Sequence, residues 1–215
     1  MKRIFALFAL FLSIASIASA QHTMWYVEGR GIIMKNAFRA SERSYRYEGY
    51  VKHPLTRILS LTAYGRFSRD GWSNELPDAG FVGVALRPSP WIGVEAQAGI
   101  QEYLPANSFW RLRGALFLGG VSGNYIYTKS VLMTVSGEYG GGAEPWLQGL
   151  ALIPIADWLA SGVYAETKYG VGPRVDLKFV GSPLRIHGAV LLREFGGGTL
   201  MKENVTVVIG MRATM

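Results

Sequence analysis

The sequence predicts an all-β protein: a closed antiparallel transmembrane up-and-down β-barrel of twelve strands. Three observations carry this. Short segments that alternate apolar and polar residues follow one another along nearly the whole chain, and a strand of period two has two chemically different faces, one for lipid and one for a lumen. An export signal precedes them. Five of the six tryptophans, all but Trp72, fall at the ends of the alternating segments, where membrane interfaces would lie.

At the start, Lys2 and Arg3 precede an apolar run from Ile4 to Leu12 and a tail ending Ala18-Ser19-Ala20, the pattern of a Sec signal cleaved before Gln21. The apolar run is shorter than the roughly 20 residues a membrane-spanning helix needs. The expected organisation is therefore a signal peptide over 1–20 and one outer-membrane barrel domain over 21–215. Cleavage would lower the formal charge from +7 to +5 by removing Lys2 and Arg3. The absence of cysteine excludes a lipoprotein attachment site, a disulfide framework and thiol-ligated metal.

The strands follow in order. The first carries Glu28 and Arg30 on one phase and the second Arg46, Glu48 and Lys52, before a tight turn at Lys52-His53-Pro54-Leu55-Thr56. The third sends Leu59, Leu61, Ala63 and Phe67 toward lipid and Arg66 the other way, and the fourth runs into Arg87-Pro88-Ser89-Pro90. The fifth sets Ile92, Val94, Ala96, Ala98 and Ile100 against Glu95, Gln97 and Gln101, and the sixth sets Leu112, Leu116 and Leu118 against Arg111 and Arg113. A tight turn is expected over Gly119 to Asn124. The seventh strand places Lys129 in phase with Val131, Met133 and Val135, although a Lys facing mid-bilayer costs about 2–4 kcal/mol. Either the turn extends past Thr128 or Lys129 snorkels.

The eighth segment, Trp146 to Ile153, is apolar on both faces and has no readable phase; it ends in a turn at Pro154-Ile155-Ala156-Asp157. The ninth carries Glu166 and Lys168, and the tenth sets Val175, Leu177 and Phe179 against Arg174, Asp176 and Lys178 before Gly181-Ser182-Pro183. The eleventh sets Leu184, Ile186, Val190 and Leu192 against Arg185, His187 and Arg193. The last alternates Val205, Val207, Ile209, Met211, Ala213 and Met215 with Thr206, Val208, Gly210, Arg212 and Thr214. Longer, Gly-rich or polar connections are expected at 35–43, 69–78, 104–108, 140–145, 169–172 and 196–204. The five tight turns then share one side with both termini, as when short turns are periplasmic and long loops extracellular.

Trp25, Trp91 and Trp158 at the periplasmic ends and Trp110 and Trp146 at the extracellular ends form the expected interfacial girdles. The lumen phase holds the chemistry: Arg30, Arg46, Arg66, Arg87, Glu95, Arg111, Arg113, Glu166, Arg174, Asp176, Arg185, His187, Arg193 and Arg212 are the lumen-lining candidates. With Glu28, Glu48, Glu138, Lys52, Lys168 and Lys178 included, thirteen Arg/Lys face six Asp/Glu, a surplus of seven. Two readings stay open. The charges either pair across the interior and plug it, or keep a water-filled passage positive, as in anion-selective pores. Twelve strands sit between barrels that side chains fill and barrels that enclose a channel. The basic residues are spread singly over many strands, which argues against nucleic-acid binding.

Catalysis lacks its parts. The only histidines are His22, His53 and His187, all toward the periplasmic end, and no Gly-x-Ser-x-Gly elbow or metal-spaced His/carboxylate cluster accompanies them. Neither a catalytic residue, a cofactor site nor a metal site is expected. Gly140-Gly141-Gly142 and Gly196-Gly197-Gly198 have no following helix and read as turns, not phosphate cradles.

Through the signal, the alternating strands and the terminal strand, the chain resembles the small bacterial outer-membrane β-barrel proteins. Members of that class normally end on an aromatic residue, and Met215 departs from this. In size and strand count it is also similar to the monomeric porins for acidic oligosaccharides, a resemblance that implies an arginine-lined lumen. A further likeness, in Leu76-Pro77-Asp78-Ala79-Gly80-Phe81 through Leu86-Arg87-Pro88 and in Tyr169-Gly170-Val171-Gly172-Pro173, is to barrel domains of exopolysaccharide-export and phage-adsorption proteins. The expected role is a non-enzymatic outer-membrane channel favouring anionic solutes such as acidic sugars or a secreted polysaccharide. The alternative is a plugged barrel whose loops act in adhesion, phage adsorption or partner binding. Expected partners are outer-membrane lipid and lipopolysaccharide, the barrel-assembly machinery and small anionic solutes or polysaccharide.

Overall fold

The structure, a computed structural model, describes residues 23–34, 43–70, 78–89, 91–103, 107–118, 132–140, 143–167, 169–192 and 205–214. They form twelve strands: β1 (Met24–Met34), β2 (Arg43–Pro54), β3 (Leu59–Asp70), β4 (Asp78–Ser89), β5 (Ile92–Tyr103) and β6 (Asn107–Leu118), then β7 (Leu132–Gly140), β8 (Ala143–Ala156), β9 (Leu159–Glu166), β10 (Gly170–Lys178), β11 (Leu184–Leu192) and β12 (Val205–Thr214). Each pairs antiparallel with its neighbours in sequence, and β1 pairs with β12 from Tyr26↔Thr214 to Met34↔Thr206, closing the barrel. Closure leaves no free sheet edge, which is what permits strands to cross a bilayer. The proposed signal lies outside the described residues.

Burial is inverted relative to a water-soluble β-protein. Val82, Val94, Leu112, Val135, Val163 and Ile209 are exposed on the outside, while Glu28, Thr62 and Gln101 are fully enclosed on the inside. A soluble protein rarely exposes so continuous an apolar surface, whereas in hydrocarbon such a surface is at rest. The architecture is thus a transmembrane barrel. A secreted sandwich would bury the opposite face of each strand.

Several sequence expectations change in detail. β7 is described from Leu132; Lys129, with all of 119–131 and so the tight turn expected over Gly119 to Asn124, lies outside the described residues. β8, unphased from sequence, turns Trp146, Leu150 and Leu152 inward and Leu147 and Ile153 outward. It continues through Ala156, so the turn expected at 154–157 lies at 157–158. On the side opposite the termini, β7 runs to Gly140 and β8 starts at Ala143, and β9 ends at Glu166 and β10 starts at Gly170, so less chain lies between these strands than the connections expected at 140–145 and 169–172. β7 ends at Gly140, whose φ of 121° lies in the left-handed region and where a Cβ would come within 2.9 Å of the Trp110 ring, leaving no room for a side chain.

Trp25, Trp91 and Trp158 project outward at the end that carries the termini, and Trp110 toward the other. Trp146 does not join them. It is 3 % exposed and points into the lumen, a correction to the girdle expected from sequence. The aromatic belt on that side is instead completed by Tyr45, Tyr47 and Tyr139, all exposed, with Tyr47 tilted against Phe67 at 6.4 Å.

Two measurements check this fold. Detergent-folded protein should migrate differently before and after boiling and show β-type circular dichroism; a soluble detergent-free monomer would contradict it. Replacing the outward Leu61 or Val190 by Arg should cost about 2–4 kcal/mol near mid-bilayer, read from urea unfolding in phospholipid vesicles. Thr62→Ser, on the opposite face and retaining the hydroxyl that accepts Gln97 Nε2 at 2.9 Å, should change stability little.

Candidate functional site

The lumen is the candidate site, because the alternation that sends apolar residues to lipid sends every well-buried charge inward. Among the described residues eight arginines, Arg30, Arg46, Arg66, Arg111, Arg113, Arg174, Arg185 and Arg212, are buried there with six carboxylates, Glu28, Glu48, Glu95, Glu138, Glu166 and Asp176. The surplus of seven counted from sequence thus becomes two for the enclosed groups. Lys52, Arg87 and Lys178 lie half-exposed near the termini-side mouth, and Lys168 and Arg193 fall outside the described residues.

One cluster is built on β1, β2, β9 and β12. Glu28 accepts from Arg30 on its own strand and from Arg212 Nε across the closing seam, at 2.5 Å for the latter. Glu28 and Arg212 are register partners, so the ladder that closes the barrel also delivers the ion pair. Arg30 reaches on to Glu48 at 3.2 Å and to the Tyr164 hydroxyl at 3.1 Å. Arg46 on β2 meets Glu166 on β9 at 2.7 Å, a contact between walls separated by β1, β12, β11 and β10. Glu166 also accepts from Tyr164 and from Trp146 Nε1, the latter at 3.1 Å. The indole donor explains why Trp146 is inside: its ring fills the lumen while its N–H satisfies a buried carboxylate.

The second cluster spans β2 to β8. Arg66 on β3 grips Glu138 on β7 with two hydrogen bonds, at 2.7 and 3.1 Å, and its guanidinium lies over the Trp146 ring at 5.6 Å. Such a two-pronged arrangement is the strongest geometry available to an arginine–carboxylate pair. Arg113 binds Glu95 at 2.7 Å and Gln97 at 3.0 Å and covers the Tyr64 ring at 4.2 Å. Tyr50 donates to Glu95 at 2.7 Å, so β2 touches β5 through the interior. Arg111 donates to Gln101 Oε1 at 2.5 Å and to the Glu138 carbonyl at 3.2 Å.

Arg174 and Asp176 pair on β10, and Arg174 lies over Tyr164. Arg185 is enclosed on β11. His187 stands 3.4 Å from Glu28, its ring against the backbone of Gly210, where a side chain would collide with it. The other described histidine, His53, contacts Thr23 Oγ1 at 2.8 Å near the termini-side mouth.

Sequence reasoning missed the apolar part of this interior. Ile32, Leu150, Leu152, Ala160, Ala189, Leu191 and Val208 pack with Trp146, Tyr164 and Tyr169 into a core inside the barrel. Tyr64, Ala79 and Phe81 form a smaller one opposite, flanked by Tyr50. The available signal was the pair of apolar faces on β8, which implies an apolar lumen wall there as well as lipid outside.

No family model matches the sequence, and neither does any curated protein. Solved structures with related shapes include a structure described as KdgM porin, at 12% identity and a TM-score of 0.47, covering 87% of this chain and 98% of that one. The outer membrane phospholipase A of Escherichia coli matches at 13% identity and a TM-score of 0.45, covering 89% of each chain. A mutant porin of Rh. blastica matches at 7% identity and a TM-score of 0.36, covering 90% of this chain and 99% of that one.

Proposed function

We propose that the protein is a non-enzymatic outer-membrane barrel whose lumen is shut, and that its work lies in what it presents at the membrane surface, in adhesion, phage adsorption or partner binding. One observation carries this reading: Arg46–Glu166 and Arg66–Glu138 join different walls through the middle of the barrel, with Trp146 wedged between the two pairs. Guanidinium groups lining a water-filled passage would be wetted, whereas Arg46 and Arg66 are only 1–2 % exposed. The apolar core around Leu150, Leu152 and Leu191 supports the same reading, since a channel for anionic solutes has no use for it.

A second reading keeps a specific observation behind it. Eight enclosed arginines against six carboxylates leave the described interior positive, as an anion-favouring channel would be if the network rearranged to open it.

Reconstituted in a planar bilayer under a salt gradient, the protein should insert stably and show no steady conductance. A lasting anion-selective current would overturn the shut-lumen reading and support the channel. Arg66→Glu should destabilise the barrel by about 3–5 kcal/mol, because it sets a carboxylate against the buried Glu138. In an open pore the same change would shift the reversal potential and leave unfolding nearly unaltered.

A further inference from the structure

We propose that the termini-side mouth of the barrel is a blind docking site for an acidic segment of a periplasmic protein, one that carries apolar side chains beside its carboxylates. The docking presupposes the shut lumen and gives it a partner. Lys52 on β2, Arg87 on β4, Lys178 on β10 and Arg185 on β11 all lie on the inward phase, near the ends of their strands at this mouth. Lys178 pairs with Arg185, and Arg185 with Arg212, so three cations stand side by side in one row. Like charges set directly opposite one another on a sheet cost stability. The interior also holds the converse, Glu28 beside Glu48, and there Arg30 bridges the two acids. The inward carboxylates nearest the cationic row are already engaged: Glu28 by Arg30 and Arg212, and Asp176 by Arg174 through hydrogen bonds at 2.5 and 3.1 Å. Across the mouth Glu95 is held by Arg113 and Tyr50, both at 2.7 Å, while Asp157 and Arg57 are exposed on turns. An acidic segment entering from outside supplies the bridging charge.

The shape and lining of the mouth select the occupant. Lys52, Arg87 and Lys178 are half-exposed, whereas Arg46 and Arg66 are sealed deeper in by Glu166 and Glu138, so the lumen is open to solvent at this mouth and closed within. A site closed at its inner end receives the tip of a segment, not a threaded polymer. Arg87 and Lys178 stand six strands apart in a ring of twelve, on opposite walls, so an occupant that engages both needs several negative charges. Apolar side chains flank these cations. Ile58, 54 % exposed, gives its carbonyl to Arg87 N at 2.7 Å, and Val180, 82 % exposed, follows two residues after Lys178. Lys178 N donates to the Trp158 carbonyl at 2.8 Å, so Val180 lies beyond the interfacial tryptophan, on the water side. An acidic polysaccharide has charge but no apolar side chains, and a lipid headgroup is held outside the wall that encloses the cations. A peptide supplies carboxylates and apolar side chains together, and the mouth faces the periplasm when the termini are periplasmic.

The protein in phosphatidylcholine nanodiscs is titrated, with fluorescence anisotropy as readout, against a fluorescein-labelled peptide of glutamates flanked by leucines, the same peptide with serines in place of the leucines, and a labelled oligouronate. The leucine peptide should bind more tightly than the other two, and its affinity should fall as salt rises. Lys52→Glu with Lys178→Glu should weaken that binding about tenfold, and Lys52→Arg with Lys178→Arg should preserve it. Both lysines are half-exposed, so the variants should fold, which heat-dependent gel migration checks. If the reversed pair does not fold, Lys178→Gln replaces it, with a smaller loss in the same direction. Ile58→Ser with Val180→Ser should bring the leucine peptide down to the affinity of the serine peptide. Absence of peptide binding, binding unmoved by the charge reversal, or an oligouronate bound as tightly as the leucine peptide overturns the proposal. The current across a planar bilayer separates this from the shut lumen: a silent protein that ignores the peptide fails only the docking, whereas a steady current overturns the shut lumen and the docking with it.

Discussion

A charge enclosed in a barrel whose outer surface is hydrocarbon has no bulk water to return to, so it must find its counter-charge inside the wall. That requirement organises the interior described here. Arginines dominate because a planar guanidinium can serve several acceptors at once: Arg30 alone contacts Glu28, Glu48 and the Tyr164 hydroxyl. Carboxylates shared in this way cannot move independently, and the strands that carry them are held at fixed heights relative to one another. The backbone ladders fix the register of neighbouring strands; the ion pairs Arg46 to Glu166 and Arg66 to Glu138 tie together walls that no ladder joins. Replacing any single member leaves a partner stranded in a low-dielectric space, which is why such networks change as a unit or scarcely at all.

The interior has two characters. On the arc from β8 to β12 an apolar core, with Leu152, Ala160 and Leu191 nearly inaccessible, lies beside the charged Glu166, Arg174, Asp176, Arg185 and Arg212, while the arc from β2 to β6 is mostly polar and aromatic. The aromatic rings mediate between them. Tyr26 and Tyr50 stack at 5.4 Å, and Arg212 and Arg113 lie over Tyr26 and Tyr64, so cationic groups rest on ring faces as well as on acids. This division allows a small barrel to fill its own interior without an inserted helix or folded-in loop among the described residues.

Much of the fold could be read in the sequence because lipid and lumen impose opposite demands on adjacent residues. Where both demands were apolar the pattern vanished, as on β8, whose inward Leu150 and Leu152 resemble its outward Leu147 and Ile153. Trp146 misled for a related reason: an indole suits a membrane interface and a lumen carboxylate equally, and only the position of Glu166 distinguishes them. The arginine and carboxylate phases were legible residue by residue from alternation. Their consequence was not, because counting charges along strands cannot tell an enclosed Arg66 from a rim group such as Arg87, nor show which walls the long side chains bridge.

The seam between β1 and β12 bears on how the molecule comes to exist. Glu28 and Arg212 are 184 residues apart in sequence, so the first strand made is the last to acquire its second neighbour. Until then both terminal strands offer bare hydrogen-bonding edges, and the apolar outer surface has no bilayer around it. Such a chain has a high contact order and a long interval of exposure, the conditions under which β-rich intermediates aggregate. Because Glu28 and Arg212 are register partners on the two strands that close the ring, their ion pair can form only when the last ladder does.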